Sequence, residues 1–290
     1  MHKFSGKWIT DEEFFELEPR NVFHRQLEPM GLPCDEHINR HILFRKKFIL
    51  PDNTENAKIY ISADDYYKLY INGRFVAQGP APSYHFRYNY NTIDITKFLV
   101  KGENLIAVHT LYQGLINRVW QSGDNRHGLL LDLEADGNVI ISSDETFKTT
   151  KHSGYRETGT AGYETQFLEE YNSNSSEEGF QYNEYDDSGW DNAKISKYAD
   201  YSVTEQKSGM LVFETVYPKV TEKRPGCLFV DFGSNYVGYL QLRVNGSANE
   251  KIIIRCGQEL DENNNVRFDL RANCTYEESW VLSRGECVLD

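Results

Sequence analysis

The chain has 290 residues, of which 39% are hydrophobic and 13% aromatic, and its formal net charge is -13. This length exceeds one small domain and predicts two β domains, or one with large insertions. The acidic balance argues against nucleic acid as a partner, because a polyanion would be repelled. No apolar run approaches the ~20 residues of a membrane span, and no apolar segment follows the first residues. We therefore expect no membrane partner and no secretory signal.

Cysteine and histidine spacing points away from metal and disulfide chemistry. The five cysteines are odd in number and show no CxxC pair, which favours neither a disulfide framework nor a zinc site. We expect reduced, mostly buried thiols in a cytoplasmic protein. His85, His109, His127 and His152 show no HxxxH or HxH spacing and are expected to be ordinary surface or edge histidines.

The chain begins with an irregular arm, residues 1–42. Within it, residues 11–17 favour one helical turn, and Trp8 is expected to anchor the arm to a sandwich. Residues 45–50 then predict a strand. The basic run at 45–47 lies inside that strand, and we expect it to be a solvated edge.

Two hairpins are marked by turn dipeptides, and the first of these, Asn72-Gly73, supplies the positive φ angles of a type I′ turn. Short, turn-rich connections follow both, and no segment sustains a helical period. The hairpins consist of residues 57–71 and 74–78 around Asn72-Gly73, and of residues 129–133 and 139–141 around Asp136-Gly137.

Residues 153–185 differ from their surroundings, because Gly, Ser, Asn, Glu and Tyr dominate there. A long ordered loop or a mobile insertion is predicted. The following run, 185–190, resembles a corner near the last strands of jelly-roll domains. In such a corner Trp190 plugs the sandwich edge while the Asp residues cap the turn.

Residues 200–222 are predicted to be a linker into a second sheet. The fold class is therefore all-β, with two antiparallel β-sandwich domains of the jelly-roll or concanavalin-like type in tandem. The first domain is predicted over 1–205 and the second over 206–290, truncated at its C-terminus. The strands expected in the second sheet are 227–231, 238–244, 251–256 and 279–282.

Several motifs in order resemble one family. The first domain has the hairpin 69–76 (LYINGRFV), and the second has Asp231-Phe232-Gly233 with Asn235 and Gly238, followed by 257–260 (GQEL). Together they resemble the N-terminal β domains of the bacterial α-L-rhamnosidase family, glycoside hydrolase family 78. The resemblance covers most of the chain.

The resemblance implies inverting hydrolysis of terminal α-L-rhamnosides by a pair of carboxyl groups. In the family these acids lie in a downstream helical barrel, and no segment of this sequence predicts one. No catalytic residue is therefore assigned. The chain is expected to be an inactive N-terminal portion whose partner is the missing catalytic domain. The alternative is a free-standing carbohydrate-binding or lectin-like module.

Aromatic and basic residues give the candidate carbohydrate contacts, because sugars are held by aromatic faces and by polar groups on their hydroxyls. A rhamnose-containing glycan is the expected ligand if they serve this role. The alternative is that they cover the sandwich or meet the missing barrel. The candidates are Tyr84, His85, Arg87, Tyr112 and Trp120.

Some family members bind rhamnose through calcium, which needs oxygen ligands. The loop at 79–91 contains no Asp or Glu, so calcium is not expected there. Asp124 and Asn125 are an alternative ligand pair, although composition favours a surface turn. No cofactor is therefore predicted.

Overall fold

The structure is a computed structural model that describes residues 1–20, 37–84, 87–115, 123–162, 165–198, 202–272 and 274–289. Helical structure in these ranges is limited to α1 (Glu12–Glu16) and a 3₁₀ turn at Thr96–Phe98. Asp11 caps α1 by accepting a hydrogen bond from the Phe14 amide. The predicted helical turn is confirmed. None of the helices in the described ranges is long and apolar enough to cross a membrane.

The strands of the first part of the chain form two large sheets and one hairpin. The strands are β1 (Ile9–Thr10), β2 (Arg40–Leu50), β3 (Ala57–Asp64), β4 (Tyr66–Ile71), β5 (Arg74–Gly79), β6 (Arg87–Asp94), β7 (Gly102–Tyr112), β8 (Gly128–Ala135), β9 (Asn138–Ser142), β10 (Lys148–Lys151), β11 (Tyr155–Ala161), β12 (Gln166–Asn172), β13 (Asp191–Asn192), β14 (Lys194–Ile195) and β15 (Ser202–Glu205). The seven-stranded sheet has the order β14-β1-β8-β3-β6-β15, with β9 on β8, and the six-stranded sheet has the order β13-β10-β2-β7-β4-β5.

The two large sheets pack face to face around one hydrophobic core. Ile42 and Phe44 enter it from the six-stranded sheet, and Ile59 and Ile61 enter it from the seven-stranded sheet. Alternate residues of these strands face this core because successive side chains point to opposite faces. The two sheets are antiparallel except for the parallel pair of β6 and β15. Their sandwich packing confirms the all-β prediction. The jelly-roll assignment stays a prediction.

The arm at the N-terminus is fixed to this sandwich as expected. Trp8 and Ile9 are buried, and Ile9 lies between Leu129 and Ile195 in the seven-stranded sheet. The arm therefore supplies a short strand, so it is not irregular throughout.

Both predicted hairpins are confirmed. Asn72 and Gly73 have φ angles of 49° and 77°, and Asp136 and Gly137 have φ angles of 48° and 82°. Positive φ at both central positions matches the type I′ turn that Asn72-Gly73 predicts, and the turn at Asp136-Gly137 has positive φ at both positions as well.

The strand predicted over 57–71 is instead two strands in different sheets. β3 pairs with β8, whereas β4 pairs with β7. The chain changes sheet at Asp64 and Asp65. Apolar alternation continues on both sides of this crossing, so the sequence pattern does not reveal it.

The prediction of a loop over 153–185 was wrong in its first half. β11 and β12 pair as an antiparallel hairpin, with Tyr155 opposite Tyr171. Most β11 residues are exposed, so polar side chains are tolerated there and the composition imitates a loop. β12 also pairs in parallel with a strand near the end of the chain, Glu277–Val281.

The second part of the chain is built of small sheets. Trp280, Leu282, Cys287 and Leu289 are its buried core. A four-stranded sheet runs β11-β12-β22-β19, and three two-stranded ribbons complete the region. Its strands are β16 (Val220–Arg224), β17 (Cys227–Asp231), β18 (Leu242–Gly246), β19 (Lys251–Arg255), β20 (Asp269–Leu270), β21 (Cys274–Thr275), β22 (Glu277–Val281) and β23 (Gly285–Leu289).

The cysteines differ from expectation in burial. The four described cysteines are free thiols, but Cys227 and Cys256 are exposed and Cys287 is buried. Cys227 and Cys256 lie in the second region, where few neighbouring elements pack against the strands. Cys34 lies outside the described residues.

The largest correction concerns Arg45, which was expected at a solvated edge. Its strand β2 lies between β10 and β7, and the Arg45 side chain is 0% exposed. Its Nε donates to Asp187 Oδ2 at 2.8 Å. The guanidinium also donates to the carbonyls of Phe180, Tyr182 and Tyr185.

Residues 173–190 thus cover the outer face of the six-stranded sheet. Phe180 is buried against Leu43 and Leu105, and Trp190 packs on the same cluster. Trp190 was predicted to plug the edge of the sandwich, but it covers the outer face of the six-stranded sheet instead. The Asp186 carboxylate accepts from the Ser188 amide and caps the turn, as predicted.

Replacing Arg45 by Met should destabilise the fold by about 3–5 kcal/mol, because Asp187 and several carbonyls lose their donor. Urea denaturation measures the change. Lys47→Met is the matched control, since Lys47 is exposed and lies 3.8 Å from an exposed Glu103; about 0–1 kcal/mol is expected there. Equal losses in the two variants would contradict the role of Arg45.

Candidate functional site

Candidate polar residues collect at one end of the sandwich. β3 ends at Asp64 opposite Gly128, the first residue of β8. β4 begins at Tyr66 opposite Leu111 near the end of β7. The loop after Gly79, the last residue of β5, reaches the same end, because Gly79 pairs with Tyr67. Strand ends and loops of a rigid sandwich are common binding positions.

Three aspartates lie at this end. Asp65 Oδ2 accepts from the Gln113 amide at 2.8 Å. Asp124 accepts from the Arg126 amide and, at 2.7 Å, from Arg126 Nε. Burial, and next the charges of Asp65 and Asp124, raise the pKa of Asp64 well above its usual value. Asp64 is therefore held as a neutral acid at pH values where exposed aspartates are ionised.

The loop beside this acidic group carries two predicted contacts. Tyr84 is 58% exposed, and its carbonyl accepts from the Arg87 amide at 2.8 Å. A recess of about 20 Å³ adjoins them, lined by Asp65, Tyr66, Tyr88 and residues 80–83. This volume suits about one water molecule, so a sugar at this end would lie on the surface around Tyr84.

The structure corrects the role predicted for Tyr112. Its side chain is fully buried and packs edge-on against Phe14 at 4.7 Å, so its ring face is closed to a sugar. Its hydroxyl oxygen accepts from the Asn125 amide at 2.9 Å. His85 and Trp120 lie outside the described residues.

The predicted surface turn at Asp124-Asn125 is also corrected, since Asp124 is buried. Buried oxygens of Asn125 and Gln113 have no hydrogen-bond partner within the described ranges, and oxygen donors suit calcium. However, Arg126 already neutralises the Asp124 carboxylate. Nor do any three His, Cys, Asp or Glu side chains in the part of the chain that the structure describes come together as a metal group. The described residues alone therefore do not fit a calcium site.

A second polar site was missed by sequence reasoning. His41, His109 and His152 come together on the outer face of the six-stranded sheet and are buried; we call them the histidine cluster. His41 Nδ1 lies 2.9 Å from His109 Nε2, and His41 Nε2 lies 2.8 Å from Glu169 Oε1. Tyr155 stacks on His41, with a centroid distance of 4.0 Å. The surface or edge position expected for His109 and His152 was wrong.

His127 is likewise buried, but in the core. Its ring nitrogens lie 3.3 Å from Thr10 Oγ1 and 2.8 Å from Thr110 Oγ1. Burial lowers the pKa of His127 to about 3. This histidine is a satisfied core residue and belongs to neither polar site.

The fold and the strand-end site define a β-sandwich protein joined to a second β region, without a helical barrel in the described residues. Residues 52–212 match the alpha-L-rhamnosidase N-terminal domain. Residues 221–286 match the bacterial alpha-L-rhamnosidase concanavalin-like domain. The first match covers more than half of the chain, so the chain belongs to the bacterial α-L-rhamnosidase family.

Individual relatives agree with this assignment. An alpha-L-rhamnosidase of Streptomyces avermitilis is 26% identical over 256 residues, which are 83% of this chain and 25% of the relative. A crystal structure of the alpha-L-rhamnosidase of that species with L-rhamnose has a TM-score of 0.69 at 23% identity, covering 87% of this chain and 26% of that one.

The crystal structure of the native alpha-L-rhamnosidase from Aspergillus terreus matches this chain with a TM-score of 0.72 at 23% identity. The match covers 99% of this chain and 32% of the Aspergillus terreus chain. At this identity the structural likeness shows the fold alone. This chain spans about a quarter of the length of the curated relative from Streptomyces avermitilis.

Asp64→Asn should stabilise the protein increasingly as pH rises above about 4. The raised pKa of Asp64 means that the folded state holds a proton that the unfolded state has lost, so wild-type stability falls as pH rises towards that pKa. Urea unfolding at pH 4.5 and 8 should show that the gain in stability over wild type is larger at pH 8.

Asp52→Asn is the matched control for this measurement. Asp52 is exposed and pairs with an exposed Lys101, so its neutralisation should leave the pH trend unchanged. Parallel stability curves for wild type and Asp64→Asn would show that burial of Asp64 does not control its protonation.

Proposed function

We propose that this chain is the ancillary β portion of an α-L-rhamnosidase-like glycoside hydrolase. In this proposal, further polypeptide carries the catalytic domain, which hydrolyses terminal α-L-rhamnosides with inversion. The observation that carries it is the pair of matches to the N-terminal and concanavalin-like domains. The Streptomyces avermitilis enzyme was crystallised with L-rhamnose, which supports rhamnosides as the substrate class.

Exposed aromatic residues support a scaffolding role. Phe213 lies edge-on to Phe75 at 5.1 Å and stacks near Tyr239 at 5.9 Å. All three are exposed, as are the nearby Val212 and Tyr217 in the chain. Exposed apolar side chains of this kind are typical of surfaces that another domain covers. The catalytic domain is the proposed occupant.

Carbohydrate contact is the second part of the proposal. The exposed ring of Tyr84 and the neighbouring Arg87 offer an apolar face and a donor, which is the pairing that sugars require. A free-standing lectin-like module would use the same residues. A cytoplasmic location stays a prediction.

The purified chain should not hydrolyse 4-nitrophenyl α-L-rhamnoside. No residue of the chain is assigned a catalytic role, so release of nitrophenol should equal the buffer blank. The complete Streptomyces avermitilis enzyme, assayed in parallel, verifies the substrate. Turnover that co-purifies with this chain would overturn the proposal that catalysis lies elsewhere.

Isothermal titration with L-rhamnose and a rhamnosyl disaccharide tests the contact proposed at Tyr84. Saturable binding should weaken about tenfold in Tyr84→Ala, because one aromatic contact contributes about 1.4 kcal/mol. Tyr182→Ala is the control, since Tyr182 is a comparably exposed tyrosine elsewhere on the sandwich. Repeating the titration with EDTA separates direct binding from binding through calcium.

The three outcomes of this titration are distinct. Binding of rhamnose that Tyr84→Ala weakens supports the ancillary role with sugar contact. Strong binding of unrelated glycans would favour the lectin-like alternative. Heats equal to those of dilution would show that the chain does not bind these sugars, and scaffolding would then remain as the proposed function.

A further inference from the structure

The histidine cluster lies where the first sandwich meets the sheet of the second region. His41 is on β2 and His109 on β7, while His152 follows β10. Across from them, the hairpin β11–β12 contributes Tyr155, which stacks on His41, and Glu169, which His41 contacts. We propose that this cluster is a pH-operated clasp, which holds the β11–β12 hairpin on the six-stranded sheet and releases it when the cluster takes up protons.

The β11–β12 hairpin connects the clasp to the four-stranded sheet of the second region. β12 pairs with β22, and β22 pairs with β19. Whatever holds the hairpin to the six-stranded sheet therefore also holds the four-stranded sheet to the sandwich. Asn39 strengthens the same contact, since its amide donates to Glu169 Oε1 at 2.7 Å.

Each hydrogen bond seen in the cluster can form when all three rings are neutral. His41 then donates from Nε2 to Glu169, and its Nδ1 accepts from His109 Nε2. His152 Nδ1 accepts from the Gly154 amide at 3.2 Å. A proton added at His152 Nδ1 meets the Gly154 N–H donor and removes this hydrogen bond.

Charged groups surround the cluster on every element that packs against it. Lys68 on β4 disfavours added protons, whereas Glu169 on β12 favours them. Glu177 lies 3.8 Å from His152 Nδ1 and is held by Ser153. Further out, Tyr171 donates to Glu178 and Glu278 lies close enough to interact with Glu169. Only part of the added positive charge is therefore balanced.

The burial of His109 and His152 also favours their neutral forms. Burial first, and then the neighbouring His41 and His152, lower the pKa of His109 well below its usual value. Burial lowers the pKa of His152 to about 4. Both rings gain affinity for protons when the hairpin leaves, so docking is complete above pH ~6.5 and is lost as pH falls towards 4.

Hydrogen exchange measured by mass spectrometry on the whole chain tests the clasp. After correction for intrinsic rates, amides of β11 and β12 should exchange at least about tenfold faster at pH 4.5 than at pH 7. Amides of β3 and β8, in the sandwich core, serve as the internal reference and should change less.

The variant His109→Gln/His152→Gln removes the two titrating rings and should flatten this pH response. His127→Gln is the matched control, because His127 is equally buried but lies outside the cluster. In this variant the hydrogen exchange of the β11–β12 hairpin should depend on pH as it does in wild type. NMR titration of the histidine rings in the unmodified protein provides a readout that needs no variant.

Two results would overturn the clasp. One is exchange of β11 and β12 that follows the core strands at every pH. The other is a titration in which His109 and His152 protonate near pH 6.5 without any change in hairpin exchange. Neither result bears on the rhamnosidase assignment, because the clasp depends on the packing of the sheets alone.

Discussion

The antiparallel ladder between β2 and β7 is the constraint on which the rest of the structure depends. Its register joins Arg40 to Tyr112 at one end and Leu50 to Gly102 at the other. The inner face of this ladder supplies the sandwich core. Its outer face carries Arg45, His41 and His109, and its end positions Gln113 beside the aspartates. Because side chains alternate along a strand, one register places all of these groups at once.

Local features of the fold could be predicted because their causes are local. Asn72-Gly73 sets its own backbone angles, and the helical turn at α1 is capped by Asp11 from within the same segment. The ordered motifs were sufficient for the family as well. The strand crossing at Asp64 could not be predicted, because both sheets require the same apolar alternation on either side of it.

Buried polar groups were the main failure, and the reason is physical. A polar residue that faces outward in a strand is normally solvated, so Arg45 and His109 were expected at the surface. Burial arises from residues 173–190 and from the β11–β12 hairpin, which lie far away in the chain. Alternation shows which face a side chain occupies, but not what covers that face. At the strand-end site Tyr84 and Tyr112 were both candidate sugar contacts, but Tyr84 is exposed whereas Tyr112 is buried.

The parallel pairing of β12 with β22 has a consequence for biosynthesis. Ser173 bonds to Val281, and 108 positions separate them. Translation proceeds at about 5–20 residues per second. The hairpin therefore emerges from the ribosome well before its partner strand β22. During that interval β12 has an open edge, which is a risk for association between nascent chains. The contacts of the hairpin with the six-stranded sheet, such as that of Glu169 with His41, need only residues that are translated before β22.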